Sequence, residues 1–263
     1  MLLKNKVAVI YGAAGAIGGA VARAFAQEGA KVFVTGRQLD GVQALAGQIE
    51  SAGGFAHAAE VDALDEQAID RHLQAVADQA GQLDISFNAA GFSNTKALGV
   101  PLVELDLAHF AAPVADYAKS YFLTARLAAR RMMAGKSGVI MTVTALPGRT
   151  GTALNGGYGA AQAAKEALTR DLSTELAPHG IRVVGLRPHG MPETAVMKEA
   201  FELKAARMGM TWEQFQAFLA NWSHPKRVMR LEEVAQMAVF LASDKASGMT
   251  GTTVNLTMGG ASD

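Results

Sequence analysis

The chain predicts a doubly wound α/β fold, with a parallel sheet of about seven strands covered by helices on both faces. Three observations predict it. Short β-rich runs alternate with helical stretches along the whole chain, the pattern of repeated strand–helix–strand units. The runs are almost continuously apolar, as in Val7-Ala8-Val9-Ile10 and Val139-Ile140-Met141-Thr142-Val143, which suits strands buried on both sides. Glycines gather between the first run and the first helical stretch, at residues 12, 15, 18 and 19.

In chain order, strands are expected near 6–11, 31–35, 56–60, 83–87, 138–143, 181–186 and 252–256. Helices are expected near 16–29, 40–53, 65–81, 114–134, 156–177 and 231–243. Right-handed crossovers between such elements put a ligand crevice outside the carboxyl ends of the strands. Residues 188–230 break the rhythm. They hold Pro188, Pro192 and Pro225, several methionines and two apolar helical pieces, 194–208 and 211–222. An insertion after the sixth strand overhangs the crevice, so it reads as a substrate lid; the alternative is an extra packing or oligomer element.

With 263 residues and no linker-like stretch, residues 1–263 are expected to form a single domain, and half the residues are hydrophobic, enough for a continuous core. Lys+Arg and Asp+Glu both total 24, so no net field draws the surface to nucleic acid or to an acidic membrane, and neither partner is expected. No apolar run reaches the ~20 residues that span a bilayer. The opening Met-Leu-Leu-Lys-Asn-Lys lacks the long apolar region of a signal peptide. The absence of cysteine excludes disulfides and thiolate chemistry. The expectation is a soluble cytoplasmic protein.

Gly12, Gly15, Gly18 and Gly19 lie where a strand hands over to an Ala-rich helix. Small residues there let the backbone approach a pyrophosphate, whose charge the N–H groups and dipole of the helix start stabilise. The surrounding motifs run the length of the chain. Tyr11-Gly12, three residues ending in Gly15, then Ala16-Ile17-Gly18 open it; Val61-Asp62, Asn88-Ala89-Ala90-Gly91, Pro188-His189-Gly190 and Asn255 through Gly260 follow. Together they resemble the short-chain dehydrogenase/reductase family, whose first motif is Thr-Gly, three residues, then Gly-Ile-Gly. Here Ala16 replaces the middle glycine and Ala89 the second asparagine of the strand-four motif. The resemblance implies a Rossmann-type fold that binds a nicotinamide dinucleotide through Gly12, Gly15, Ile17, Gly18, Asp62 (adenine), Asn88, Gly91 and Pro188. The second strand ends Val34-Thr35-Gly36-Arg37. Gly36 lacks the acid that accepts from NAD ribose hydroxyls, and Arg37 can pair with a 2′-phosphate, so NADP(H) is favoured over NAD(H). Read blandly, Arg37 is a solvated loop charge, and Asp40 nearby keeps that reading open.

Family chemistry moves a hydride between nicotinamide and a carbonyl carbon. A tyrosine passes the proton, a serine holds the oxygen, and a lysine four residues after the tyrosine lowers its pKa from the ordinary ~10. Tyr158 matches that tyrosine, at the family's distance from Gly180-Ile181-Arg182-Val183. Its helpers are absent: Ala145 stands at the serine position, Gln162 at the lysine position and Tyr117 at that of a supporting asparagine. Gln162 can still hydrogen-bond ribose. Among neighbours, Thr144 has a hydroxyl, but alternation along a strand points it to the opposite sheet face from residue 145. Lys165 lies seven residues after Tyr158, about −20° round the helix and ~10.5 Å along it, and reads as structural or solvated, or as a distant field on Tyr158. His189 follows the sixth strand, near the expected nicotinamide, and is either a replacement acid or an ordinary hydrogen-bonding residue. No clustered His, Asp or Glu spacing suggests a metal, and no nucleophile elbow suggests hydrolysis.

Positioned acid–base catalysis contributes ~10²–10⁴-fold and an oxyanion donor ~10²–10³-fold, so a site without serine and lysine is slow unless its substrate is reactive or another group substitutes. The leading expectation is an NADP(H)-dependent oxidoreductase with an altered site, with Tyr158, Gln162 and His189 as its chemical residues. Its substrate is expected to be a small apolar carbonyl or hydroxyl compound, in keeping with the Met- and Phe-rich lid. The alternatives are a dinucleotide-binding sensor or scaffold, and non-redox chemistry on the same fold. The resemblance also implies a homo-oligomer, a dimer or tetramer built through helices 114–134 and 156–177.

Overall fold

The computed structural model describes residues 1–192 and 195–262. Seven strands, β1 (Val7–Tyr11), β2 (Lys31–Gly36), β3 (Phe55–Glu60), β4 (Ile85–Asn88), β5 (Gly138–Val143), β6 (Ile181–Pro188) and β7 (Thr252–Leu256), form one sheet in the order β3-β2-β1-β4-β5-β6-β7. Every pairing is parallel. The helices are α1 (Ala16–Gln27), α2 (Leu39–Ser51), α3 (Glu66–Ala80), α4 (Leu107–Gly135), α5 (Tyr158–Leu176), α6 (Ala195–Arg207), α7 (Trp212–Trp222) and α8 (Leu231–Ala242). The Rossmann-type, seven-stranded parallel fold read from the sequence is the fold of the chain. The expected helix start at residue 194 lies outside the described residues.

Strand periodicity divides the core. Ala8 and Ile10 face a cluster with Val21 and Phe25 of α1, Leu45 and Ile49 of α2, and Val234 and Leu241 of α8. Val7, Val9 and Tyr11 face the other cluster, with Ile69 and Leu73 of α3, Tyr121 and Leu127 of α4, and Leu172 and Leu176 of α5. Successive side chains of one strand thus feed two helical layers, which explains the unbroken apolar runs. Phe215 and Leu219 of α7 build a third, small cluster with Ala205 of α6.

The largest departure from expectation is α4, which starts at Leu107 rather than 114. Pro113 lies inside it, where a proline removes an amide donor and crowds the preceding turn. The helix runs through it. Asp106 caps the earlier start, its Oδ1 accepting from the amides of Ala108 (2.8 Å) and His109 (3.3 Å), and Pro113 is itself buried. Asp65 caps α3 in the same way, and Thr211 with Gln214 forms a capping box on α7.

β1 and β4 are adjacent in the sheet although far apart in sequence, and their connections leave in opposite directions. Such a reversal opens a crevice at the carboxyl ends of the strands. Tyr11 pairs with Asn88 at this point and Asn88 with Thr142, so the ends of β1, β4 and β5 lie side by side beneath the candidate site.

Candidate functional site

The glycine-rich turn leaves β1 at Gly12, whose φ of +72° lies in the region that disfavours side chains. A Cβ there would also fall 2.6 Å from the Ala89 carbonyl oxygen, so the backbone just beyond β4 forbids one. At Gly18 a Cβ would lie 2.4 Å from the Gly12 oxygen, which is why α1 can fold back tightly on the turn. The Gly15 amide closes the turn onto the Gly12 carbonyl at 3.0 Å. Gly15 then precedes the helix in extended conformation, with no side-chain cap, and the first α1 amides, those of Ala16, Ile17 and Gly18, lack intrahelical acceptors. That is an anion cradle made of backbone.

The remaining residues expected at a dinucleotide take different roles. Asp62 folds its own turn, Oδ1 accepting from the Leu64 amide at 2.9 Å. Asn88 is buried and committed inside the protein: Nδ2 donates to Ser120 Oγ (3.0 Å) and Thr124 Oγ1 (2.9 Å), and Oδ1 accepts from the Ala90 amide (3.3 Å). It therefore fastens β4 to α4 and shapes the turn toward Gly91, rather than offering its side chain to a ligand. Gly91 is exposed, with open space where a Cβ would stand. Arg37 is exposed at the end of β2 and has no hydrogen bond or ion pair among the described residues. Pro188 is the last residue of β6, paired with Leu256.

Tyr158 begins α5, its amide donating to the Asn155 carbonyl at 3.2 Å. Its ring meets that of Tyr117 edge to face, with centroids 5.7 Å apart at 80°. Tyr117 is anchored in turn: its hydroxyl accepts from the Phe92 amide at 3.2 Å. Desolvation, and then the neighbouring Tyr117, push the Tyr158 hydroxyl above the ordinary phenol range, so it holds its proton at neutral pH. Gln162 follows one turn later on the same helix face, only 1% exposed, and its Nε2 has no partner. A buried amide left unpaired costs about 1–3 kcal/mol, which marks a donor waiting for an acceptor.

Thr144, the nearest hydroxyl to the empty serine position, is spent elsewhere: Oγ1 donates to Glu166 Oε1 (3.1 Å) and to the Leu186 carbonyl (3.3 Å). His189 is 1% exposed, with its ring edge to face with Trp222 at 6.3 Å and Nε2 unpartnered. Desolvation lowers its pKa, so it stays neutral at neutral pH and can orient a ligand but not deliver a proton as imidazolium. The amide Oδ1 of Asn94, the amide Nδ2 of Asn155 and the hydroxyl of Thr152 are also buried and unpartnered, in two loops joined by Asn94 Nδ2 donating to the Asn155 carbonyl (3.1 Å). Sequence reasoning missed all three. Their only sequence signal is their place in the loops after β4 and before α5, at the strand ends. Among the described residues no group of His, Asp and Glu could hold a metal ion, and no helix is long and apolar enough to cross a membrane.

The family description "enoyl-(acyl carrier protein) reductase" matches residues 12–260. Cis-4-hydroxycyclohexanecarboxylate dehydrogenase of Sinomonas cyclohexanicum is 33% identical over 247 residues, covering 94% of this chain and 93% of that protein. Among solved structures, actinorhodin polyketide ketoreductase with NADPH superposes with a TM-score of 0.89 at 25% identity, covering 97% of this chain and 96% of that one. NAD+-bound xylitol dehydrogenase, at 23% identity, shares the fold with a TM-score of 0.90 over 97% of this chain and 98% of that one. The glycine turn, the parallel sheet and these full-length similarities agree: the chain belongs to the short-chain dehydrogenase/reductase family, whose similar members are oxidoreductases.

Proposed function

We propose that this protein is an NADP(H)-dependent oxidoreductase with an altered catalytic site, acting on a carbonyl or hydroxyl group of a compound with a small apolar skeleton. The observation that carries the proposal is the pair Tyr158 and Gln162, one turn apart on α5, with a protonated phenol beside a buried amide that lacks an acceptor. The backbone cradle of Gly12, Gly15, Ile17 and Gly18 fits a pyrophosphate, and the Gln162 amide fits a ribose hydroxyl. Arg37 beside Gly36 favours a 2′-phosphate. When bound, the dinucleotide supplies or accepts a hydride.

The chain's own residues then do three things. Tyr158 holds a proton for the substrate oxygen, because desolvation keeps its phenol protonated at neutral pH. Gln162 orients without contributing charge, and His189 hydrogen-bonds as a neutral ring. The segment 188–230, with Phe201, Phe215, Phe218 and Trp222 in successive ring contacts, acts as a lid that excludes water and favours apolar carbon. Phe122 and Met133 are exposed on α4 and suit a homo-oligomer interface, and a cytoplasmic location agrees with the balanced charge.

A second reading rests on Ala145 and Gln162 themselves: a site without oxyanion donor or lysine suits a dinucleotide-binding sensor or scaffold. Turnover of a broad panel of carbonyls with NADPH separates the two. The oxidoreductase reading expects reduction of reactive ketones, lowered about 10²–10⁴-fold by Tyr158→Phe. NADPH binding with no turnover on the whole panel would leave the sensor reading.

A further inference from the structure

Lys165 is 1% exposed, on the α5 face that carries Tyr158 and Gln162, at positions i, i+4 and i+7. Its Nζ donates to the Val143 carbonyl at the end of β5, at 2.6 Å. It also stands over two aromatic rings of α4, 5.5 Å from the Tyr117 centroid and 5.9 Å from that of Tyr121. The same Tyr117 ring meets Tyr158. Lys165 thus touches two buried tyrosine rings, and one of them, Tyr117, touches the half-buried candidate proton donor. No ion pair reaches Lys165 among the described residues: the next carboxylate, Glu166, is engaged by Arg187 and Thr144. An ammonium buried without a counter-ion is costly, whereas methionine or leucine would fill the same volume without that cost. Apolar packing alone therefore gives no reason for a lysine here; its hydrogen bond to Val143 and its two ring contacts are what hold it.

We infer that Lys165 is a positioning residue whose ammonium, one turn beyond Gln162, supplies the positive charge the site lacks at residue 162 and acts on Tyr158 through the Tyr117 ring. The inference rests on the oxidoreductase reading above and deepens it. Negative charge grows on the Tyr158 oxygen as its proton leaves, and a buried cation behind the intervening ring favours that charge more strongly than one in water would. The effect on proton transfer is on the order of tenfold, a fraction of what direct acid–base contact provides. Desolvation brings Lys165 down to about 7, so the charge is present below neutral pH and fades above it. The titratable and charged groups on the elements around it are Tyr117 and Tyr121 on α4, Tyr158 and Glu166 on α5, and Arg187 on β6.

The chain has four tyrosines, so labelling their Cζ carbons with ¹³C gives four assignable signals. Expected from about pH 5.5 to 9 is a shift of the Tyr117 and Tyr158 signals with a midpoint near neutral, absent in Lys165→Met. Tyr11, on β1, is the control. A Tyr158 signal that is flat in the native protein, or that titrates unchanged in Lys165→Met, overturns the inference without reference to turnover. Kinetics form the second arm, with NADPH and the activated ketone 2,2,2-trifluoroacetophenone. Lys165→Met is expected to lower kcat about tenfold at acidic pH, to remove the decline of kcat through neutral pH, and to leave NADPH affinity within about twofold. Adding Gln162→Lys to that variant is expected to recover the rate. Unchanged kcat and pH profile in Lys165→Met overturn the inference. A native protein that shows the coupled tyrosine titration and binds NADPH but reduces nothing overturns the oxidoreductase reading and leaves the Lys165–Tyr158 coupling standing.

Discussion

Arg187 and Glu166 form a buried bidentate ion pair, with Nε 2.7 Å from Oε1 and Nη2 3.1 Å from Oε2, and both side chains less than 5% exposed. The pair ties the carboxyl end of β6 to α5, and Thr144 at the end of β5 joins it through Glu166. Three elements that flank the candidate site are thereby held in one arrangement.

Breaking that pair from the arginine side leaves the Glu166 carboxylate buried without its cation. Arg187→Leu is expected to cost about 3–5 kcal/mol in urea unfolding, whereas Arg187→Leu combined with Glu166→Leu costs less than the two single changes summed. Additive single and double losses would show that the two side chains are not coupled.

Acid sensitivity follows from His72, which is buried on α3 with neither ring nitrogen partnered. Desolvation, assisted by the nearby His57, lowers its pKa from 6.5 to about 4. The unfolded chain takes up this proton below about 6.5, but the folded chain only near 4, so stability is full above that window and falls as pH drops through it. The loss approaches about 3 kcal/mol. Urea melts at pH 7.5 and 4.5 check it: His72→Leu should flatten the difference, and an undiminished slope in that variant contradicts the assignment.

The glycine turn makes a sharper claim. Gly12→Ala places a Cβ at positive φ and against the Ala89 carbonyl, so it is expected to cost on the order of 2–4 kcal/mol and to abolish NADPH binding. Gly47→Ala, in α2 where a Cβ meets nothing within 4 Å, is the contrast and should stabilise by about 1 kcal/mol. Equal thermal shifts for the two would contradict the geometry.

Restoring the family's helpers tests whether their loss limits the rate. Ala145→Ser with Gln162→Lys is expected to raise kcat on an activated ketone by about 10²-fold or more. A folded, NADPH-binding double variant with unchanged kcat would show that the native site compensates fully.

Much of this was legible before the structure. Strand alternation is a local property, so the seven strands and the two-faced core follow from Val7-Ala8-Val9-Ile10 and its counterparts, and the Gly12–Gly18 turn is a contiguous motif. What stayed hidden depends on distant partners. Lys165 read as structural or solvated, or as a distant field, because its tyrosine neighbours lie far away in sequence, on α4. Glu166 and Arg187 gave no signal in the sequence, because their pairing crosses from a helix to a strand. Asn88 carried a family motif but spends its amide on Ser120 and Thr124. The early start of α4 was concealed by Pro113, which tertiary packing and the Asp106 cap outweigh.

The most direct test of the central claim is titration of the purified protein with NADPH and with NADH, followed by nicotinamide fluorescence. Binding of NADPH at least about tenfold tighter than NADH, with the gap closed by Arg37→Glu, is the predicted result. Binding of neither nucleotide would contradict it.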